Sequence, residues 1–247
     1  MLFRSLLASP QLALLRTVKG LLAGQVRDTS ELRYDFDAFH VAAIMPGPEA
    51  SSVMKSFASA LDCVVLMARN GDDGAVWAWL GRRRPPDLVQ FEQLASTLLP
   101  PSASLAVGEV GFSVAGWRHS HQQARAASII ALRRGDRFLR YREVPLLASH
   151  AQDALLTGSM RQLFLDPLEG ENGNTKLHTT LRAYFAADRN SASAAKALKV
   201  SRQTINNHLQ TVEDRLGLPL ASCATELEVA LRLKDFEQLS TELSTVA

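Results

Sequence analysis

Apolar residues recur along this chain with two different periods. Between residues 34 and 147, apolar runs rich in β-branched and aromatic residues alternate with segments whose apolar residues return every three or four positions. The first pattern is typical of strands and the second of amphipathic helices. In order, the segments predict β-α-β-β-α-β-α-β, which begins as the ferredoxin-like arrangement of a mostly antiparallel sheet with helices on one face.

Turn and capping residues separate these elements. The predicted strands are "YDFDAFHVAAIM", the two arms of "CVVLMARNGDDGAVWAWLG", "SLAVGEVGF" and "RFLRYREV". The Gly/Asp-rich centre of the second segment predicts a hairpin. The predicted helices are "EASSVMKSFASAL", "DLVQFEQLASTLL" and "HSHQQARAASIIALRRG", the last with Ser120 as its N-cap. We therefore predict one α/β sandwich domain at residues 34–147.

The leucine-rich segment 1–33 predicts an amphipathic helix. Its apolar residues fall on one helical face: Leu14, Leu15, Val18, Leu21 and Leu22. The longest uncharged run has 11 residues and contains Pro10, whereas a spanning helix needs about 20 apolar residues. Arg16 and Lys19 follow the run, where a signal peptide would have small residues for cleavage. No membrane partner is expected.

Beyond residue 147 the chain is predicted to be helical. Residues 148–174 form a connecting helix and a polar linker, "EGENGNTK", which is the strongest candidate for a domain boundary. Residues 175–235 predict an all-α domain, and residues 236–247 a C-terminal tail. The expected fold class is α+β, with the sandwich domain preceding the helical domain.

Two short helices in the C-terminal domain meet at a tight turn. Asn190 or Ser191 can cap the first of them, and the small Ala195 allows a close helix crossing. Lys199 occupies the turn, and Val200 is predicted to anchor it. The buried face of the first helix is predicted to consist of Ala194, Ala195 and Leu198. Ser201 can cap the helix that follows.

That following helix has an apolar stripe and an amide face. The stripe consists of Ile205, Leu209, Val212 and Leu216, spaced by four, three and four positions. The amides Gln203, Asn206, Asn207 and Gln210 fall on the opposite face, flanked by Arg202 and Thr204. This layout is typical of a helix-turn-helix whose second helix lies in the DNA major groove, although periodicity alone also permits a plain three-helix bundle.

Amide side chains suit such a surface chemically. Asn and Gln can bond N6 and N7 of adenine with two hydrogen bonds, and Arg can bond guanine or phosphate. The predicted DNA-contacting residues are Lys199, Ser201, Arg202, Gln203, Thr204, Asn206, Asn207 and Gln210.

Charge supports a local nucleic-acid surface and not a generally basic protein. The whole chain has a net charge of +2, but residues 175–216 contain seven Lys/Arg against three Asp/Glu. Phosphate neutralisation by such residues provides most non-specific DNA affinity. Cys63 and Cys223 stand far apart without nearby metal-ligand spacing, so neither a disulfide nor a zinc framework is expected, and a reducing cytoplasm fits.

These residues resemble the PucR/CdaR family of bacterial transcriptional regulators. The C-terminal resemblance lies in "LHTTLRAYFAADRNSASAAKALKVSRQTINNHLQTVEDRLGLPL" and the trailing "ELEVALRL". Upstream, "YDFDAFHVAAIM", "VGEVGFSVAGWRHSHQQARAA" and "LFLDPL" resemble the GGDEF-like domain that precedes the helix-turn-helix in this family. The resemblance covers about residues 21 to 235. Asn206, Asn207 and His208 depart from it, since family members commonly have basic or aromatic residues there.

The resemblance implies a cytoplasmic regulator that binds operator DNA as a homodimer or higher homo-oligomer, with a GGDEF-like domain that regulates or dimerises. A small-molecule effector and control of metabolic genes are expected.

A rival from another class is a nucleotide-binding or nucleotide-converting GGDEF-type protein with an accessory helical domain. The hairpin segment "RNGDDG" lacks the paired glycines and the Glu-Phe of a cyclase, and Asp35 and Asp37 stand at the start of their strand. His119 and His121 lack further convincing zinc ligands nearby and are predicted to lie at a helix start. We therefore expect no enzyme activity, no catalytic residue, no metal and no cofactor.

Overall fold

The structure is a computed structural model that describes residues 10–25, 28–150, 153–169 and 176–246. The chain divides into two compact units, which meet in the sequence between residues 148 and 149. The polar linker predicted at residues 169–176 lies almost entirely outside the described residues.

The first unit is a sheet with helices before, between and after its strands. Its helices are α1 (Pro10–Leu22), α2 (Ala50–Ala60), α3 (Leu88–Leu98) and α4 (Ser113–Arg134), and α5 (Pro145–His150) follows. Its strands are β1 (Phe39–Met45), β2 (Val64–Arg69), β3 (Val76–Arg82), β4 (Leu105–Val107), β5 (Gly111–Phe112) and β6 (Phe138–Arg140). The strand order is β2-β3-β1-β4-β6, and β5 also pairs with β1. All pairs are antiparallel except β4 with β6, which confirms the predicted α+β class and the β2–β3 hairpin.

Helices cover both faces of this sheet, so the expectation of a single helical face was wrong. On one face, Val41 and Ala43 of β1 pack with α2 and α3, where Phe57 stacks on Phe91. On the other face, Ala42 and Ile44 pack with α1 and α4. The reason lies in β1, whose apolar residues run without alternation and therefore need a cover on each side.

Helix α1 covers part of the sheet face that carries Ala42 and Ile44. The residues of its predicted apolar face are buried or half-buried in one cluster with β1, β2 and β3: Leu14, Leu15, Val18, Leu21 and Leu22. Arg118 of α4 donates a hydrogen bond to the Leu21 carbonyl, which fixes the C-terminal end of α1. Among the described residues, no helix is long and apolar enough to cross a membrane.

Helix α4 begins at Ser113, so the prediction that Ser120 caps this helix was wrong. Ser120 is buried within α4, where its hydroxyl accepts a hydrogen bond of 2.8 Å from the backbone N–H of Ala42. The early start is possible because Gly116 and Gly111 let the helix and β5 approach closely; a Cβ atom at Gly116 would overlap the carbonyl carbon of Gly111.

Three predicted strands are also shorter than expected. One is "RFLRYREV", of which only β6 is a strand and residues 141–143 form a 3-10 helix. The first strand of the chain was placed from Tyr34, but β1 begins at Phe39. The residues before it form a turn, in which the Asp35 carboxylate accepts from the backbone N–H of Asp37, and the Tyr34 ring packs on His40. The segment "SLAVGEVGF" divides into β4 and β5 around residues 108–110.

The second unit is helical in its described part. Its helices are α6 (Ala154–Phe164), α7 (Lys176–Ala186), α8 (Ser191–Leu198), α9 (Arg202–Leu216) and α10 (Leu220–Val246). The predicted connecting helix is divided into α5 and α6, and the Asp153 carboxylate caps α6 by accepting from Leu156 N. The expected C-terminal tail is a continuation of α10. Leu165 and Leu168, placed by sequence in the connecting segment, lie in a core with Leu181 and Leu227.

A partly buried polar cluster holds the segment after α6 against α7 and α10. Lys234 Nζ lies 2.7 Å from Glu169 and 3.3 Å from His178 Nδ1. Because Lys234 can only donate, His178 Nδ1 is the acceptor, and its Nε2–H donates to the carbonyl of Leu165 at 3.3 Å. Burial, with the charge of Lys234 next in size, lowers the pKa of His178 below its ordinary value of 6.5.

Replacing Gly116 by Ala should destabilise the first unit by about 1–3 kcal/mol, because the new methyl group meets backbone that cannot move aside cheaply. The measurement is the free energy of unfolding from urea denaturation. Gly71→Ala is the matched control, since nothing lies within 4 Å of its Cβ position. An equal effect of both substitutions would contradict the tight α4–β5 contact.

Lowering the pH below 6.5 should reduce the unfolding free energy of the second unit, because His178 is buried there as a neutral ring. Its folded pKa is lowered, so the folded form keeps the ring neutral while the unfolded chain takes up a proton. The stabilisation is thus complete above pH 6.5 and declines as the pH falls toward the folded pKa. Comparing unfolding free energies of the wild type and His178→Gln isolates this residue from other histidines. The wild type should lose more stability between pH 7.5 and 5.5; parallel losses would refute the assignment.

Candidate nucleic-acid interface

Helices α8 and α9 are joined by a turn whose caps the sequence predicts. The Asn190 side-chain oxygen accepts from the backbone N–H groups of Ala192 and Ser193 at 3.0 and 3.1 Å. The Ser201 hydroxyl accepts from Thr204 N at 3.0 Å. Between the helices, Lys199 adopts the left-handed conformation with φ of 56°. Both caps are therefore confirmed, and they fix where each helix begins.

Small residues allow the two helices to touch. Ala194 and Ala195 of α8 are buried against Ile205 of α9. Val200 was predicted to anchor the turn but is 41% exposed, so that prediction was wrong. The turn is instead held by its backbone, since Val200 N donates to the carbonyl of Ala195 at 3.0 Å.

Helix α9 presents its amides on the side away from this core. Ile205 and Val212 are buried, and Leu209 and Leu216 pack partly buried beside them. The four amides are all exposed: Gln203, Asn206, Asn207 and Gln210. Lys199, Ser201 and Arg202 are exposed at the start of the helix, and Thr204 is half-buried there. The structure thus brings the eight candidate contact residues together on the turn and on α9.

The exposed amides differ in how they are engaged. Gln203 Nε2 donates to Asn207 Oδ1 at 2.8 Å, and Gln210 Nε2 donates to Asp214 Oδ1 at 3.1 Å. In contrast, the side chains of Asn206 and Arg202 have no hydrogen-bond or ionic partner among the described residues. These two side chains therefore keep their full hydrogen-bonding capacity for an external partner.

Two other polar residues near the amide face have internal roles. The Ser201 hydroxyl lies 2.8 Å from the Thr204 hydroxyl, which adds to the cap. His208 Nδ1 lies 2.8 Å from the hydroxyl of Thr180 on α7, and that hydroxyl also donates to the Lys176 carbonyl. His208 therefore joins α9 to α7 and has a role in packing.

The basic residues of this region divide into two groups. Arg182 is paired with Asp235, and the Arg215 guanidinium lies 3.3 Å from the carbonyl of Leu168, so both stabilise the fold. A second group is exposed on α8, on the turns that flank it and at the start of α9: Arg189, Lys196, Lys199 and Arg202. The local excess of positive charge is thus carried by side chains that can reach a phosphate backbone.

Arg189 was not among the candidate contact residues. It lies in the turn between α7 and α8, where Asp188 and Arg189 both adopt the left-handed conformation. That turn places Arg189 on the wall of a cavity of about 440 Å³ shared with Asn206 and Gln210. The sequence signal was the break "DRNS", which indicates a turn but not the approach of Arg189 to α9.

The acids of the β2–β3 hairpin take part in local contacts. Asp72 pairs with Lys19 of α1 at 3.0 Å, and the Asp73 carboxylate accepts from Ala75 N at 2.9 Å. His119 and His121 lie inside α4 and not at its start, because α4 begins earlier than predicted. Within the described ranges, no three His, Cys, Asp or Glu side chains are grouped so that they could hold a metal ion.

Comparison with known proteins gives two domain matches. Residues 25–128 match the GGDEF-like domain, and residues 177–234 match the PucR C-terminal helix-turn-helix domain. Among solved structures, the chain is similar to a regulator of polyketide synthase expression from Bifidobacterium adolescentis, with 17% identity, 90% of this chain and 91% of that chain covered, and a TM-score of 0.44. No curated protein matches the chain.

The second match falls on the helices that carry the capped turn and the amide face, which confirms the predicted helix-turn-helix. The first match falls on strands β1 to β5, on α2 and α3 and on most of α4, and it precedes the second match along the chain. The chain therefore combines a GGDEF-like domain with a PucR C-terminal helix-turn-helix domain, as the resemblance to the PucR/CdaR family implies, and is a DNA-binding transcriptional regulator.

Proposed function

We propose that α9 is the recognition helix and reads operator DNA through its exposed amide face. The observation that carries this proposal is the pair Arg202 and Asn206, which are exposed near the start of α9 and have no side-chain partner in the described part of the chain. In helix-turn-helix proteins the N-terminal part of the second helix contacts base edges in the major groove.

Each side chain has a role that fits its chemistry. Asn206 can accept from adenine N6 and donate to N7, and Arg202 can donate to guanine or to a phosphate. The bond between Gln203 and Asn207 leaves the Gln203 oxygen and the Asn207 amide hydrogens available, so this pair can contact the bases as one unit. Gln210, partly engaged by Asp214, extends the contact along the helix.

A second group positions the protein on the phosphate backbone. Lys199 on the turn and Arg189 beside the amide face are exposed cations that can neutralise phosphates without reading sequence. Ser201 and Thr204 hold the first turn of α9 through their hydroxyls, and backbone N–H groups at a helix start also bind phosphate.

The regulator is proposed to act in the cytoplasm as a homodimer or higher homo-oligomer, because two copies can bind two half-sites of one operator. Apolar surface supports self-association: Leu155 and Leu163 of α6 are exposed. Control of metabolic genes by a small-molecule effector is the proposed role. No catalytic role is assigned to the GGDEF-like domain, whose hairpin acids serve local contacts.

Replacing Asn206 by Ala should lower discrimination at one base pair by about 1–3 kcal/mol. Stability should change little, because the side chain is exposed and has no partner among the described residues. The measurement is the affinity of the full chain for its preferred DNA site and for single-base variants of that site. Unchanged discrimination in Asn206→Ala would refute the assignment of the reading face.

Two further variants serve as controls. Gln93→Ala removes an exposed amide from α3 and should leave DNA affinity and discrimination unchanged. Ile205→Ala removes a buried side chain between α8 and α9 and should cost about 2–5 kcal/mol of stability, with loss of all DNA binding.

A further inference from the structure

A polar cavity of about 360 Å³ lies in the first unit, far along the chain from the helix-turn-helix. It is formed by the C-terminal end of α1, the turn between β2 and β3, and one side of α4. Each element contributes a polar group: Lys19 from α1, Asn70 and Asp72 from the turn, and His121 and Arg125 from α4. A volume of this size is typical of a site for a small organic molecule.

Two buried polar side chains that line this cavity each carry an atom without a hydrogen-bond partner among the described residues. Asn70 is 5% exposed and the atom is its Oδ1, and His121 is 3% exposed and the atom is its Nδ1. Buried polar groups in folded proteins are nearly always satisfied, because an unmade hydrogen bond is costly. Two such side chains on the wall of one cavity therefore point to a partner that binds there.

The charge of the cavity favours an anion. Lys19 Nζ lies 3.0 Å from Asp72, which balances those two charges, and Arg125 adds a positive charge. Burial, with Arg125 next, lowers the pKa of His121 to about 3. The His121 ring is therefore neutral at physiological pH, so it can serve as a hydrogen-bonding group.

A rigid aromatic wall stands behind these groups. Trp77 contacts the edge of His121 with ring centroids 4.6 Å apart, and Trp79 stacks on the other side at 5.0 Å. Trp79 in turn stacks on Trp117 at 4.3 Å. The wall keeps His121 in one orientation, which lowers the entropy cost of binding a ligand against it.

We propose that this cavity binds a small organic carboxylate that also carries an N–H or O–H group. The carboxylate pairs with Arg125, and the N–H or O–H group donates to Asn70 Oδ1. His121 Nδ1 makes a further hydrogen bond and orients the molecule against Trp77. This site is independent of the amide face of α9, so it stands whether or not that face reads bases.

Intrinsic fluorescence tests the site directly, because all three tryptophans of the chain belong to this wall. The full chain is titrated with a panel of small hydroxy, amino and ureido carboxylates, with the primary amides of the same molecules, and with inorganic phosphate. At least one carboxylate should change the fluorescence saturably. Its primary amide should bind at least about tenfold more weakly, because it lacks the anionic group that pairs with Arg125. Inorganic phosphate should also bind at least about tenfold more weakly, because it lacks the organic part that lies against Trp77.

Variants separate this site from general electrostatic attraction. Arg125→Gln should raise the dissociation constant of that carboxylate at least about tenfold. Arg16→Gln, which removes an exposed cation from the same helix as Lys19, should leave it unchanged. His121→Phe keeps a ring between the tryptophans and should weaken binding while the melting temperature stays the same or rises, because an unpartnered buried atom is removed.

Three results would overturn the proposal. The first is the absence of a saturable change with every carboxylate, which would mean that the cavity holds only solvent. The second is equal binding of a carboxylate and its amide. The third is equal binding of the carboxylate by the wild type and by Arg125→Gln. Because Arg125 is exposed, this variant should fold, so the comparison decides the question even if His121→Phe does not fold.

Discussion

The contact between α8 and α9 is the interaction on which the DNA-binding surface depends. Ala194 and Ala195 carry only a methyl group, so Ile205 can be buried completely between the two helices. Successive residues of an α-helix are about 100° apart around its axis. When Ile205 and Val212 are buried, Asn206 and its neighbouring amides therefore point outward. The polar face thus follows from the hydrophobic contact, and the caps fix its position along the chain.

Close approach also organises the first unit. Gly111 and Gly116 let α4 lie against the sheet, and the Ser120 hydroxyl then satisfies a backbone N–H of β1. One position further along the same helix, His121 is held between two tryptophans beside the cavity. The packing that buries both faces of β1 therefore also creates the polar cavity under α1.

Local signals made the order of elements and the helix-turn-helix predictable, since caps such as Asn190 act within three residues of their own position. Contacts between distant residues were not predictable. Glycine is a poor helix former, yet Gly116 lies inside α4, because it is packed against Gly111. The stripe of α1 shows which face is buried without showing that it packs on the sheet. The bond between His208 and Thr180, and the approach of Arg189 to Asn206, likewise depend on how the helices pack.

The most direct test is to select bound sites for the full chain from a pool of random double-stranded DNA at low salt, followed by affinity measurements at increasing salt. The account predicts one enriched motif that includes adenine contacts for the amide face of α9. Affinity for that motif should fall steeply as the salt concentration rises, because exposed cations displace counterions from phosphates. A pool that stays random after selection, or a chain that retains no DNA even at low salt, would contradict it.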